Sequence, residues 1–351
     1  MPSAGRSGKG PFTHPLPRPK LARMTVIDWL LDSDPSIRWQ VMRDLLHEPA
    51  DAVAAERAKV ATQGWGAQLL RLQGADGYWD RGVYDPPEPR DPDDPGQPWT
   101  ATHHTVVLLR ELGLDPASAE ARAAIGLVRD HVSWDPIGEE YFGGEVEPCV
   151  NGMIVALGDY FGENVQPLVD RLLGEQLGDG GWNCEAERGS IRSSFHSTIC
   201  VLDGLLEHEQ AHGASGEVTA ARRRAEEYLL ERRMFRRLST GEVADPDFTR
   251  FSFPTRWFYD VLRGLDYFRR AGSPPDPRHD EALDLVEGKR DADGRWLLEL
   301  AHPGKVHFEM EAEGEPSRWV TLRALRVLDW AGRSPLYTAG MIPPRNVHSP
   351  D

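Results

Sequence analysis

His196 opens an apolar segment twelve residues after Cys184, and Glu147-Pro148-Cys149 opens an earlier one. Thiol, imidazole and carboxylate are donor types that hold zinc, so Glu147, Cys149, Cys184 and His196 form a candidate metal set. The same side chains also serve as small buried hydrophobes and hydrogen-bond partners, and the sequence leaves both roles open. His103 and His104 are candidate acid–base groups near neutral pH, as is His196; of the adjacent pair, one must point away from any shared pocket. Arg256 and Arg318 each precede a tryptophan (Thr255-Arg256-Trp257, Ser317-Arg318-Trp319). Each arginine there either clamps a carboxylate or diphosphate bidentately or pairs with nearby acids such as Glu309, Glu311 and Glu313. Trp99, Asn151 and Tyr259 lie at equivalent segment starts and complete a candidate substrate-binding set. Cys200, deeper on the same helical face as His196, reads as core.

The elements that position these residues repeat. Gln73-Gly74-Ala75-Asp76-Gly77-Tyr78-Trp79, Gln176-Leu177-Gly178-Asp179-Gly180-Gly181-Trp182 and Arg290-Asp291-Ala292-Asp293-Gly294-Arg295-Trp296 each read as a helix end, an Asp-Gly turn and a tryptophan. Weaker copies lie near 134–144 and 237–241, which gives a period of roughly 45 to 60 residues, the range of a two-helix repeat with a long connection. Apolar helical patterns follow each turn, over 99–114, 149–161, 193–206, 253–268 and 317–330. Apolar on most faces, they predict buried helices, while charged segments such as 220–233 predict an outer layer. The expected fold is all-α: an α/α toroid of five or six hairpins in one domain over 24–332. It follows a disordered leader, 1–23, and precedes an irregular tail, 333–351. The starts of the inner helices would ring a polar collar above a pocket with aromatic and aliphatic walls.

Formal net charge is -16, with 56 acidic and 40 basic residues, which argues against nucleic acid as a partner. Three cysteines suit a reducing cytoplasm, no apolar run is long enough to span a membrane, and no phosphate-cradling or dinucleotide-binding glycine loop announces a nucleotide cofactor.

The Gln-x-x-Asp-Gly-x-Trp turns at Gln73 and Gln176 resemble those of squalene cyclases, and the organisation over 69–330 is similar to the squalene cyclase and protein prenyltransferase superfamily. That resemblance implies structural tryptophans and an enzyme acting on an isoprenoid or other apolar ligand in the ring cavity. Prenyltransferase catalytic subunits hold zinc with an Asp-x-Cys and a histidine at neighbouring helix starts; Glu147, Cys149 and His196 match that pattern, with Glu replacing Asp. The cyclases' acidic motif is matched in letters by Asp91-Pro92-Asp93-Asp94, but this string lies in a proline-rich stretch where a carboxyl would be solvated. The chain is also about half the length of a two-ring cyclase. The rival expectations are a non-catalytic toroid that binds lipid or protein, and a glycoside-processing ring with Glu145 and Glu147 as acid and base.

Overall fold

The computed structural model describes residues 24–85, 96–134 and 138–338. The leader, the Asp91-Pro92-Asp93-Asp94 string and the chain beyond Thr338 lie outside the described residues. The fold is mostly helical. Helices α1 (Val26–Leu31), α2 (Pro35–Asp44), α3 (Ala50–Ala58) and α4 (Gly64–Arg71) precede the first repeat turn. There follow α5 (Thr102–Leu112), α6 (Ala119–His131), α7 (Pro148–Phe161), α8 (Gln166–Gly174), α9 (Phe195–His212) and α10 (Gly216–Glu231). The last four are α11 (Val261–Arg270), α12 (Asp280–Gly288), α13 (Arg318–Trp330) and the turn-length α14 (Pro335–Thr338), which gives the expected irregular tail a helical start. Extended structure is confined to two antiparallel pairs of two-residue strands, 133–134 with 139–140 and 296–297 with 316–317, and to isolated bridges.

Helix starts follow their caps. Asp34 accepts from the Ser36 N–H with Pro35 in the first turn of α2, and Ser317 accepts from the Val320 N–H at the start of α13. One expected helix is wrong in extent. Residues 253–260 are not helical, because Pro254 disfavours helical backbone at Phe253 and Asp260 caps α11 by accepting from the Arg263 N–H. Arg256, in left-handed backbone with φ 56°, therefore lies on a loop rather than at a helix start. In the other direction, α9 runs six residues past its apolar pattern, through Glu207-His208-Glu209-Gln210-Ala211-His212.

The three repeat turns are built alike. The indole N–H of Trp79, Trp182 and Trp296 donates to the carbonyl ten residues earlier, Leu69, Leu172 and Val286, at 2.7 Å each time. Each tryptophan's main-chain N–H donates to a threonine hydroxyl on the following helix: Thr102 of α5, Thr198 of α9 and Thr321 of α13. Gln73 donates to Gly77 and Ala124 carbonyls and Gln176 to Gly180 and Ala221, so each glutamine ties its turn to the next outer helix. All three tryptophans are fully buried, which makes them structural staples.

The apolar helices pack in succession, α5 on α7, α7 on α9, α9 on α11, α11 on α13 and α13 on α2. Trp39 of α2 donates its indole N–H to the Leu112 carbonyl of α5. The closest of these contacts is α7 against α9, where glycines face each other: a Cβ on Gly204 would stand 2.3 Å from the Gly152 carbonyl oxygen, and one on Gly152 2.6 Å from that of Cys200. Neither clash can be relieved by a side-chain movement, so Gly204→Val is expected to cost at least about 2–3 kcal/mol through forced separation of the helices, read as a lowered urea midpoint.

Candidate functional site

A cavity of about 510 Å³ has walls unlike those expected. It is lined from α2, α3, α5, α7, α9, α11, α13 and the 253–256 loop, and it carries nine arginines against five carboxylates. Helical spacing explains the assembly. Arg263, Asp266 and Arg270 share one face of α11, Asp203, Glu207 and Gln210 one face of α9, and Arg323 and Arg326 one face of α13.

Most of these charges pair. Asp203 receives Arg263 at 2.9 Å and Arg270 at 3.0 Å, Asp266 receives Arg269 at 2.7 Å, Asp44 receives Arg43 and Arg326, and Glu207 receives Arg110. Burial opposes ionisation of Asp203, Asp266 and Asp44, yet these arginines hold all three carboxyls below the usual range. The pairing is incomplete. Arg256 is 7 % exposed, and its guanidinium makes no hydrogen bond among the described residues; its partner is the Trp99 ring, 4.9 Å away. Arg323 stacks on the Phe253 ring and makes no hydrogen bond among the described residues, though its charge helps hold the Asp266 carboxyl down. Among the described residues, Arg110 Nε, Arg270 Nη2 and Arg326 Nε are buried donors without acceptors, and Glu111 Oε2 is a buried acceptor without a donor. Burial pushes Arg256 and Arg326 down to about 10, which leaves both charged at neutral pH. Buried donors without acceptors are costly, and an anion in the cavity would satisfy them.

A second cavity of about 350 Å³ shares Phe253 and Arg256 with the first. Its lining is more apolar, with Trp99, Leu108, Pro254, Phe308 and Met310.

The expected metal set is brought together in part. The ligand atoms of Glu147, Cys149 and Cys184 lie within 4.8 Å of one another, and the two sulfurs are 2.9 Å apart. Contact with Cys149, and then Ser197, holds the Cys184 thiol below its usual range; contact with Cys184, and then burial, raises Cys149. His196 does not join them. On α9 the face toward Cys184 belongs to Ser197, and His196 is turned by roughly 100° from it. Its Nδ1 accepts the Tyr259 N–H at 2.8 Å and its ring packs on Phe248, Trp257 and Phe258, so it is neither a ligand of this set nor, with burial pushing it down to about 4, a base. Glu147 opens into a separate pocket beside Tyr84, Trp134 and Glu145, away from the arginine cavity. Burial raises the Glu145 carboxyl.

The remaining expected residues divide. Arg256 lines both the arginine cavity and the second one, and Trp99 lines the second while donating its N–H to the His302 and Pro303 carbonyls. Asn151 is fully buried, exchanging hydrogen bonds with the Glu145 main chain, so it braces a loop. Tyr259 gives its hydroxyl to the Met234 carbonyl. Arg318 binds the Trp29 carbonyl and stacks on that ring, outside both cavities. His103 and His104 are buried among Tyr84, Trp99 and Trp134, and neither lines a large cavity. Burial pushes His103 down to about 3 and His104 well below its usual value, so both are neutral core residues instead of acid–base groups.

These histidines set a pH dependence. Folded His103 (about 3), His196 (about 4) and His302 (about 3) bind protons less readily than unfolded histidine at about 6.5. The unfolded chain then binds more protons, so stability rises with pH; their contribution is complete above about pH 6.5 and declines on acidification toward pH 3–4. The melting temperature is expected to fall steadily between pH 7 and 5; a flat profile there would contradict the neutral buried assignment.

No protein-family model matches the chain, and none of the curated proteins matches its sequence. Among the described residues no helix is long and apolar enough to cross a membrane.

Proposed function

We propose that the protein is an α/α toroid, organised like the squalene cyclase and prenyltransferase group, that binds an anionic small molecule, a diphosphate or similar head carried on an apolar tail. The toroid reading rests on the like-built tryptophan turns and on the succession of packed helices from α5 through α13 to α2, with Trp39 reaching back to α5. The ligand class rests on one observation above others: buried guanidinium nitrogens of Arg110, Arg270 and Arg326 left without acceptors among the described residues, in a cavity where arginines outnumber carboxylates nine to five. The head would lie among Arg256, Arg323 and Arg326. The tail would lie past Arg256, in the cavity walled by Trp99, Leu108 and Met310. An isoprenoid diphosphate satisfies both halves.

Catalysis in such a site takes the form of charge developing on the anionic head, stabilised by guanidinium groups already in place. In that step the C–O bond to the head would break with its electron pair leaving on diphosphate, and Glu111, whose Oε2 has no hydrogen-bond donor among the described residues, would take a proton from the resulting cation to leave an olefin. Zinc, if held by Glu147, Cys149 and Cys184 as a three-ligand set, would supply an activated thiol or water. That donor set fits the metal, but it faces a different pocket, and the anion site does not depend on it.

Calorimetric titration with farnesyl diphosphate, inorganic diphosphate and farnesol tests the reading. Farnesyl diphosphate should bind most tightly, inorganic diphosphate measurably and with strong weakening by salt, and farnesol least. Binding of farnesol with no response to diphosphate would overturn the anionic reading and favour a lipid carrier. If farnesyl diphosphate is turned over, Glu111→Gln should slow formation of the deprotonated olefin product at least about 100-fold while the dissociation constant stays within about threefold.

A further inference from the structure

Below the glycine contact, the C-terminal halves of α7 and α9 hold a second cluster of ligand types. Asp159 of α7 presents Oδ2 to His208 Nδ1 at 3.0 Å and Oδ1 to His212 Nε2 at 2.7 Å. The two histidines are one helical turn apart on α9, with ring centroids 4.7 Å apart, and the three ligand atoms lie within 4.8 Å of one another. The Asp159 side chain is only 1 % exposed, and no arginine or lysine pairs with it among the described residues. A buried carboxylate needs compensating positive charge, which a divalent ion held between the carboxylate and the two imidazoles would supply. The His212 side chain is 59 % exposed, so the cluster opens to solvent on one side.

We infer that Asp159, His208 and His212 form a binding site for a divalent transition metal such as zinc, cobalt or nickel. Two imidazoles and one carboxylate are a donor set suited to these ions, with the solvent side left for water. Tetrahedrally arranged ligands on bonds of roughly 2.1 Å are separated by about 3.4 Å, and the three atoms already lie within 4.8 Å of one another. The ion would pin α7 to α9 where the adjoining Tyr160, Glu207 and Gln210 line the arginine cavity, so metal loading would fix one wall of the anion site. The metal site itself stands apart from the proposed function and from the Cys149–Cys184 cluster.

Cobalt titration of the wild-type chain, followed by absorption spectroscopy, tests the inference. A site of nitrogen and oxygen donors gives weak visible bands, whereas binding at Cys149 and Cys184 adds intense thiolate charge-transfer absorption. The expected result is that the weak bands appear and persist when Cys149 and Cys184 are both replaced by serine, with a rise in melting temperature with metal and weak-band affinity reduced at least about tenfold in both Asp159→Asn and His212→Ala. His212→Ala removes a largely exposed ring but also a hydrogen bond to the buried Asp159 carboxylate, so a wild-type circular dichroism spectrum and a cooperative melt of the metal-free variant serve as its folding control. Cobalt that binds only with thiolate absorption, or binds equally well to a folded His212→Ala chain, would overturn the site. A farnesyl diphosphate titration that fails leaves the cobalt result unaffected, because the two readouts share no ligand.

Discussion

Replacing Arg256 by methionine is expected to weaken farnesyl diphosphate binding about 10- to 100-fold without lowering the melting temperature. The guanidinium is buried with a tryptophan face as its partner and stands in a cavity where positive charge is in excess. A hydrogen bond from a charged group to an anion contributes about 1.5–3 kcal/mol, and 1.4 kcal/mol is tenfold in affinity. In the free protein the same charge is a burden: its desolvation is offset by the more distant Glu111 charge and by no carboxylate at hydrogen-bonding distance. Methionine keeps the apolar stem's packing and removes the charge. The loss of the Trp99 contact, worth about 0.5–2 kcal/mol, works against the gain. Calorimetry and thermal melting on the same preparation separate these effects. A melting temperature that drops by many degrees while affinity stays unchanged would make Arg256 a structural residue.

Replacing Trp182 by alanine is expected to cost about 3–5 kcal/mol of folding stability, on the order of 10 °C in melting temperature for a domain of this size. The ring is fully buried, and removing it also strands the Leu172 carbonyl and loosens the turn held by Gln176. Trp182→Phe keeps most of the apolar volume and loses only the indole donor, so about 1–3 kcal/mol is expected. Because Trp79 and Trp296 make the same pair of hydrogen bonds, alanine there should cost about as much. A loss below about 1 kcal/mol at all three positions would mean that the repeat turns do not hold the helices in place.

The tryptophan turns were legible because their signal is local: an Asp-Gly pair, a tryptophan and an apolar helix recur within a few residues. Glu147, Cys149 and Cys184 were legible for the same reason, since each sits beside a turn or a helix start. His196 looked equivalent, but a one-residue step along α9 decides which side chain faces the sulfurs, and composition does not carry that rotation. The stretch Phe253-Ser-Phe-Pro-Thr-Arg-Trp-Phe-Tyr259 imitates an apolar helix; Pro254 was the contrary signal. The arginine cavity was not legible as a unit. Its members come from helices far apart in the chain, and each has a nearby acid that makes it look like an ordinary surface ion pair. The sign available in the sequence was that Arg110, Arg263, Arg269, Arg270, Arg323 and Arg326 interrupt helices otherwise apolar enough to be buried.

An anion seated among these guanidinium groups is the claim on which the functional reading stands. A crystal structure of the wild-type chain grown with inorganic diphosphate addresses it without intermediaries. Diphosphate density bridging Arg256 to Arg323 or Arg326, with the Arg326 Nε and Arg270 Nη2 donors turned onto its oxygens, is the expected result. Ordered diphosphate found only on the outer surface, with the cavity arginines rearranged onto the five carboxylates, would contradict it.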